Sequence, residues 1–259
     1  MTYLTSIVLG IVQGFTEFLP ISSTAHLLLV SALLSIAQTD FQKMFEVVIQ
    51  LGSILAVVVL YWRKLLDPEL IKRLMVAFIP TGIIGLIFHS AIKNLYDQNK
   101  TIILTLFLGG LIIIIFELWH KEKESDIGEL NKISYKQSIA LGLFQSLAIV
   151  PGVSRSAATI IGGLALGIKR RTIVEFSFLL AVPTMLAASG FDLLKGYSNL
   201  AVGNNFGLLV VGFIVSFIVA LLGIKFLLGF IRHYGFIPFG VYRILVAIVF
   251  WFALSLTLV

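Results

Sequence analysis

Two short polar stretches carry the residues of this chain that could do chemistry. EFLPISSTAH, residues 17 to 26, holds a carboxylate, three hydroxyls and an imidazole; IVPGVSRSAAT, residues 149 to 159, echoes it with an arginine between two serines. After Pro20, the hydroxyls of Ser22, Ser23 and Thr24 are suited to capping a following helix, and Ser154 and Ser156 repeat the arrangement after Pro151. A helix N-terminus with free N–H groups and hydroxyls in a low-dielectric setting attracts an anion. Arg155 adds a planar fork suited to phosphate, Gly152 permits a tight backbone, and Thr159 offers a further hydroxyl. Ser23 and His26, three residues apart, share a helix face, as an activated nucleophile and its base would, or a nucleophilic histidine and its neighbour. Gln13 and Glu17, four apart, could hold a divalent cation through oxygen or orient His26. A phosphate-binding arginine with Ser, His and a carboxylate favours phosphoryl transfer over passive conduction. Serines acting as interhelical glue, and a proline-broken transporter site, are the alternatives.

The elements that must position these residues are dictated by an oily composition. The chain is 59% hydrophobic and only 12% charged, with a mean hydropathy of +1.05, which excludes a soluble domain. The fold class is therefore an all-α polytopic membrane protein. Six stretches, near 44–62, 74–92, 101–119, 173–194, 206–231 and 236–258, are long enough to cross a bilayer. Residues 3–36 and 136–168 are instead cut mid-way by proline and polar residues, and read as two re-entrant helix-break-helix hairpins. Pairs of short full-spanning helices are the competing reading, which would move the polar clusters to the far surface.

Charge assigns the sides. Arg63, Lys64, Lys72, Arg73, Lys121, Lys123, Lys132, Lys136, Lys169, Arg170, Arg171 and Arg232 fall in loops of one side, which the positive-inside rule makes cytoplasmic. Lys43, Lys93, Lys100 and Lys195 fall on the other. Tyr61, Trp62, Trp119, Tyr135 and Tyr234 flank the basic loops as an interfacial belt. Traced this way, the first hairpin opens from outside, the second from the cytoplasm, and both termini lie outside. The halves 1–119 and 136–259 thus form an inverted-topology repeat joined by a cytoplasmic linker, 120–135. GIVQGFTEFLPISST against GLFQSLAIVPGVSRS supports it weakly, pairing Gln13 with Gln145 and Pro20 with Pro151.

Other ionisable residues read as structural. Glu46, Glu175 and Asp192 lie near span ends, Lys225 and Arg243 can snorkel or pair with a carboxylate, and Glu117 and His120 belong to a solvated interface. His89, His120 and His233 also lie near span ends, leaving His26 as the histidine within a break. With no basic residue before Lys43, a cleavable signal peptide is not expected. The absence of cysteine excludes disulfides and thiolate chemistry. The net charge of +6 sits in short loops, a membrane-topology pattern, so no nucleic-acid partner is expected.

EFLPISSTAH, PGVSRSAAT and FEVVIQLGSILAVVV (45–59) together resemble the bacterial undecaprenyl-diphosphate phosphatase family, also known for bacitracin resistance, across essentially the whole chain. The resemblance implies hydrolysis of undecaprenyl diphosphate to undecaprenyl phosphate and inorganic phosphate at the outer face of the bacterial plasma membrane. That reaction recycles the carrier lipid for cell-wall synthesis. It implies Glu17, Ser23, His26 and Arg155 as catalytic, with Gln13, Ser22, Thr24, Gly152, Ser154, Ser156 and Thr159 binding substrate. A divalent cation, Mg or Ca, would be held at Glu17. The implied partners are the polyprenyl diphosphate and membrane lipids, with a homodimer left open. Gln13 stands where many members carry glutamate, and Ala25 where glycine is usual. The alternative function is a lipid or anion transporter using the repeat for alternating access.

Overall fold

The computed structural model describes residues 1–37, 39–88, 99–196 and 206–257, with backbone alone at 99, 191–196 and 254–257. Expectations for His89 and Lys93, and for the side chains of Asp192 and Lys195, lie outside the described residues. Among the described residues the chain forms ten α-helices and no strand beyond one isolated bridge, Ile127 to Ile168. They are α1 (Tyr3–Thr16), α2 (Ser23–Leu33), α3 (Asp40–Tyr61), α4 (Pro68–Ile87), α5 (Asn99–Trp119), α6 (Tyr135–Ser146), α7 (Arg155–Ala165), α8 (Arg170–Gly196), α9 (Phe206–Tyr234) and α10 (Ile237–Thr257).

Five of these, α3, α4, α5, α8 and α9, are long and apolar enough to cross a membrane. The sixth expected span, α10, is helical throughout its 21 residues, with described side chains only as far as Ala253. The second span begins earlier than its hydropathy suggests. Asp67 caps it by accepting from the Glu69 and Leu70 N–H groups, and Pro68 takes the first helical position, where a missing N–H costs nothing. The exterior is apolar, with Leu86 73% and Ile87 69% exposed, while Ser53, Gln145 and Arg243 are interior. That inversion of the soluble pattern suits a lipid solvent.

Both breaks form where expected. The Pro20 ring would collide with the Thr16 carbonyl of a continued helix, and α1 stops there. The chain then turns through Ser22 at φ 71°, and α2 starts at Ser23. In the second break, α6 relaxes into a 3₁₀ turn at Leu147–Ile149 before Pro151, and Ser154, at φ 74°, precedes α7. Ser22 with Ser154, Leu34 with Leu166 as helix caps, and left-handed Ser35 with Gly167 are all equally spaced along the chain. This register sets Gly152, not Pro151, opposite Pro20, one residue away from the pairing expected from sequence. The prolines need only terminate their helices; it is the left-handed serines that must coincide.

Packing repeats with the same logic. α1 lies against α9 as α6 lies against α4, while α3 meets α8 and α5 meets α10. Gly10 and Gly142 hold equivalent places in these contacts: a Cβ on Gly10 would stand 2.9 Å from the Gly212 carbonyl, and one on Gly142 would strike the Ala77 carbonyl. Where no hydrophobic force joins helices, such small-residue contacts and buried hydroxyl pairs, Ser53 with Ser216 at 2.7 Å, supply the cohesion.

The basic loops meet at one end of the molecule. Lys64 pairs with Glu175, Arg73 donates to the Ile133 carbonyl at 2.8 Å, and Arg170 pairs with Glu117. Two expectations need correction here. Glu117 is not solvated: its side chain is 8% exposed and also accepts the Phe236 N–H, because the α9–α10 turn folds over it. Tyr61 faces the core rather than the belt, 8% exposed beside Phe178, whereas Trp62, Trp119, Tyr135 and Tyr234 are exposed.

Candidate active site

The two breaks meet at Glu17. Buried at the end of α1, its carboxylate accepts from Gln13 Nε2 at 2.8 Å and from Ser23 Oγ at 2.6 Å, both on Oε2. Its Oε1 takes Arg155 Nη2 at 2.9 Å, across the interface between the two hairpins. Arg155 opens α7; it also donates from Nη1 to the Ser177 carbonyl at 2.9 Å and lies over the Phe18 ring. A guanidinium held by fixed partners is pre-oriented, as recognition of a phosphoryl group requires.

Ser23 therefore pairs with Glu17, and the expected Ser23–His26 couple is not formed. A residue three along α2 projects one turn deeper, and the ring there finds other partners. His26 Nδ1 lies 2.8 Å from the Ser22 carbonyl and Nε2 lies 2.9 Å from Tyr242 Oη on α10. Nothing in the oily spacing around Tyr242 marks it as polar chemistry, and sequence reasoning passed it over.

The remaining expected ligands divide by exposure. Ser23, Thr24 and Arg155 are partly open, and they define the accessible face of the site. Ser22 is buried and makes no side-chain capping bond; its contribution is the carbonyl that holds His26. Ser154 does cap, accepting from the Ala157 N–H at 3.2 Å. Ser156 donates to the Leu19 carbonyl at 2.8 Å, tying one break to the other. Thr159 is fully buried and donates to the Arg155 carbonyl, which leaves its hydroxyl no open surface toward a ligand. Gly152, at φ 90°, lies so close to Thr105 and the Ile102 carbonyl that a Cβ would collide with both.

Beneath both breaks sits Arg243, which does not snorkel and, among the described residues, pairs with no carboxylate. It is 0% exposed, and its guanidinium donates to five backbone carbonyls: Pro20, Gly152, Val153, Thr105 and Leu106. Chain breaks leave buried carbonyls without their intrahelical partners, and one five-donor side chain satisfies those of both breaks together. Its neighbours Val241, Tyr242, Ile244 and Leu245 read only as a span.

The model of the bacitracin resistance protein BacA family matches residues 6–249. The chain belongs to that family. It is 53% identical to a protein of Sulfurihydrogenibium sp. (strain YO3AOP1), over 97% of this chain and 99% of the relative. A protein of Aquifex aeolicus (strain VF5) is 48% identical over 96% and 98%, and one of Methanococcus aeolicus 49% identical over 96% and 97%. Each is named undecaprenyl-diphosphatase.

Among the described residues no three His, Asp or Glu side chains gather as a metal cage. Glu17 and the Gln13 amide oxygen are too few to hold a bare cation, and Arg155 occupies one carboxylate oxygen. That donor set fits an ion of the Mg type, which commonly binds one or two carboxylates and completes its shell with substrate phosphate.

Proposed function

We propose that the protein is an integral membrane undecaprenyl-diphosphate phosphatase, releasing inorganic phosphate and returning undecaprenyl phosphate to cell-wall synthesis, an activity that confers bacitracin resistance. The observation that carries this reading is the Ser23–Glu17–Arg155 chain: a hydroxyl on one hairpin hydrogen-bonded to a carboxylate that is ion-paired to the other hairpin. The names of relatives close to half identical over full length favour it over the transporter alternative.

In this reading Ser23 Oγ attacks the terminal phosphorus and its proton passes to Glu17, while the bond from phosphorus to the bridging oxygen breaks and the lipid phosphate leaves. Arg155 turns from the carboxylate to the phosphoryl oxygens, where charge builds, with the α2 and α7 N-termini facing the same group. Water then displaces the Tyr242 hydroxyl from His26 Nε2 and attacks the phosphoserine, giving its proton to that nitrogen, and Glu17 returns the first proton to Ser23. A divalent cation arriving with the diphosphate would be held by Glu17 and the Gln13 amide oxygen and would supply charge neutralisation.

The architecture proposed is six spans plus two re-entrant hairpins in an inverted repeat, 1–119 and 136–259, with 120–135 as linker. Helices of 14 and 11 residues in the first hairpin rise about 21 and 17 Å, short of the roughly 30 Å hydrocarbon core. The constant register of the two breaks and the matched helix pairings support the repeat. The clustering of the basic loops supports placing that end in the cytoplasm, and the site opening outward. Purified protein in liposomes with a polyprenyl diphosphate should free inorganic phosphate; transport of the lipid without phosphate release would sink the enzyme reading.

A further inference from the structure

We infer that Tyr242 is a positioning residue of this site: its hydroxyl holds and orients the basic Nε2 of His26, in the tautomer that the Ser22 carbonyl sets. The inference rests on the phosphatase reading above and extends it to α10, which carries none of the sequence motifs.

A carbonyl oxygen can only accept, so the 2.8 Å contact with Ser22 makes His26 Nδ1 the protonated nitrogen. In the neutral ring Nε2 is then the basic nitrogen, and the partner facing it at 2.9 Å is Tyr242 Oη, which must donate. The two rings lie parallel, 6° apart with centroids at 5.5 Å, so the phenol restrains the imidazole in tilt as well as by its hydrogen bond. His26 is 6% exposed whereas Tyr242 is 42% exposed, which makes the phenol the outward neighbour of the working nitrogen.

The placement of Tyr242 is not incidental to the breaks. The next residue, Arg243, is anchored to the carbonyls of Pro20, Gly152 and Val153, so α10 cannot slide relative to either hairpin. The Ser22 carbonyl, on the other side of the ring, is set by a left-handed backbone at φ 71°. His26 is therefore held between a strained turn and an anchored helix. Ser23, committed to Glu17, does not restrain it.

The test is Tyr242→Phe in the full chain, assayed in liposomes for phosphate release from a polyprenyl diphosphate, with Tyr242→Leu beside it. Phe retains the stacking and removes the hydroxyl alone. Its kcat should fall about tenfold, a part of what a positioned base supplies, with KM changed by less than about twofold. The acid limb of its kcat profile should move to higher pH, because the neutral ring has lost its donor. A Phe variant with wild-type kcat and pH profile overturns the inference and leaves the phosphatase reading intact. A packing role would produce that outcome with only the Leu variant impaired. A second measurement needs no variant fold: in 15N-histidine-labelled wild-type protein, neutral His26 should show the Nδ1–H tautomer, and the Nε2–H tautomer would overturn the inference. Wild-type turnover by His26→Gln would remove the role assigned to His26 itself, and the inference with it.

Discussion

At the scale of single residues, the site depends on groups whose partners are fixed before substrate arrives. Ser23→Ala removes the hydroxyl that donates to Glu17 while leaving Gln13 and Arg155 in place, so folding should persist and phosphate release should stop; single-turnover assays for a phosphoserine check the step directly. Arg155→Lys is expected to cost on the order of 10²-fold or more in kcat/KM, because a point charge cannot hold the Ser177 carbonyl and a phosphoryl oxygen in one plane. A kinetic comparison of the two enzymes decides it, and near-equal rates would mean that Arg155 merely balances Glu17. The hydroxyls, the imidazole and Arg155 announce themselves in the sequence because polar groups are costly there. Their pairing does not, since it depends on which nitrogen or oxygen each finds across the breaks.

At the scale of elements, the two interrupted hairpins are stabilised by what crosses between them. Arg243→Met would leave five carbonyls without their donor, at about 1–3 kcal/mol for each that finds no other partner. The thermal unfolding midpoint in detergent should fall well below that of the wild type, and an unchanged midpoint would show that water replaces the guanidinium. Gly152→Ala meets the Thr105 hydroxyl and a backbone φ of 90° at once, and should also lower the midpoint. At the basic end, Asp67 caps α4, and the Asn131 amide hydrogen-bonded to its carboxylate holds it below its usual value of 3.8. A depressed folded-state value means that this tie is complete above the unfolded value and is lost as pH falls below it. Asp67→Asn should therefore flatten stability against pH only in that acid range. Helix starts at Pro68 and Tyr135 are legible from their caps, Asp67 and Ser134; the left-handed turns at Ser22 and Ser154 are not, because serine is no signal for positive φ.

At the scale of the whole molecule, the expected consequences concern sidedness and the cation. The chain lacks cysteine, so single cysteines can be placed at will. Ala37 and Glu124 are both exposed and lie far apart along the chain; Asp126 is less suitable, since it accepts the Lys123 N–H. Labelling from opposite sides of sealed vesicles should reach one or the other, and labelling of both from one side refutes the inverted arrangement. EDTA should suppress phosphate release without moving the thermal midpoint, because the chain's own donors suit an ion that arrives with its substrate. A midpoint that falls on chelation would instead indicate a structural metal.

By itself the sequence determined the solvent, the helices and the inventory. Hydropathy demands a bilayer, proline at residues 20 and 151 ends two helices, and the cost of placing Glu17, His26 and Arg155 among apolar residues marks them for function. The tertiary structure alone decided who meets whom. That Ser23 answers to Glu17 rather than His26 is decided by the fold of the first break, and that Tyr242 faces the imidazole and Arg243 satisfies both breaks are long-range outcomes of α10 packing beside them. Local sequence can state that a chain break needs a donor; only the packed helices supply which one comes within reach.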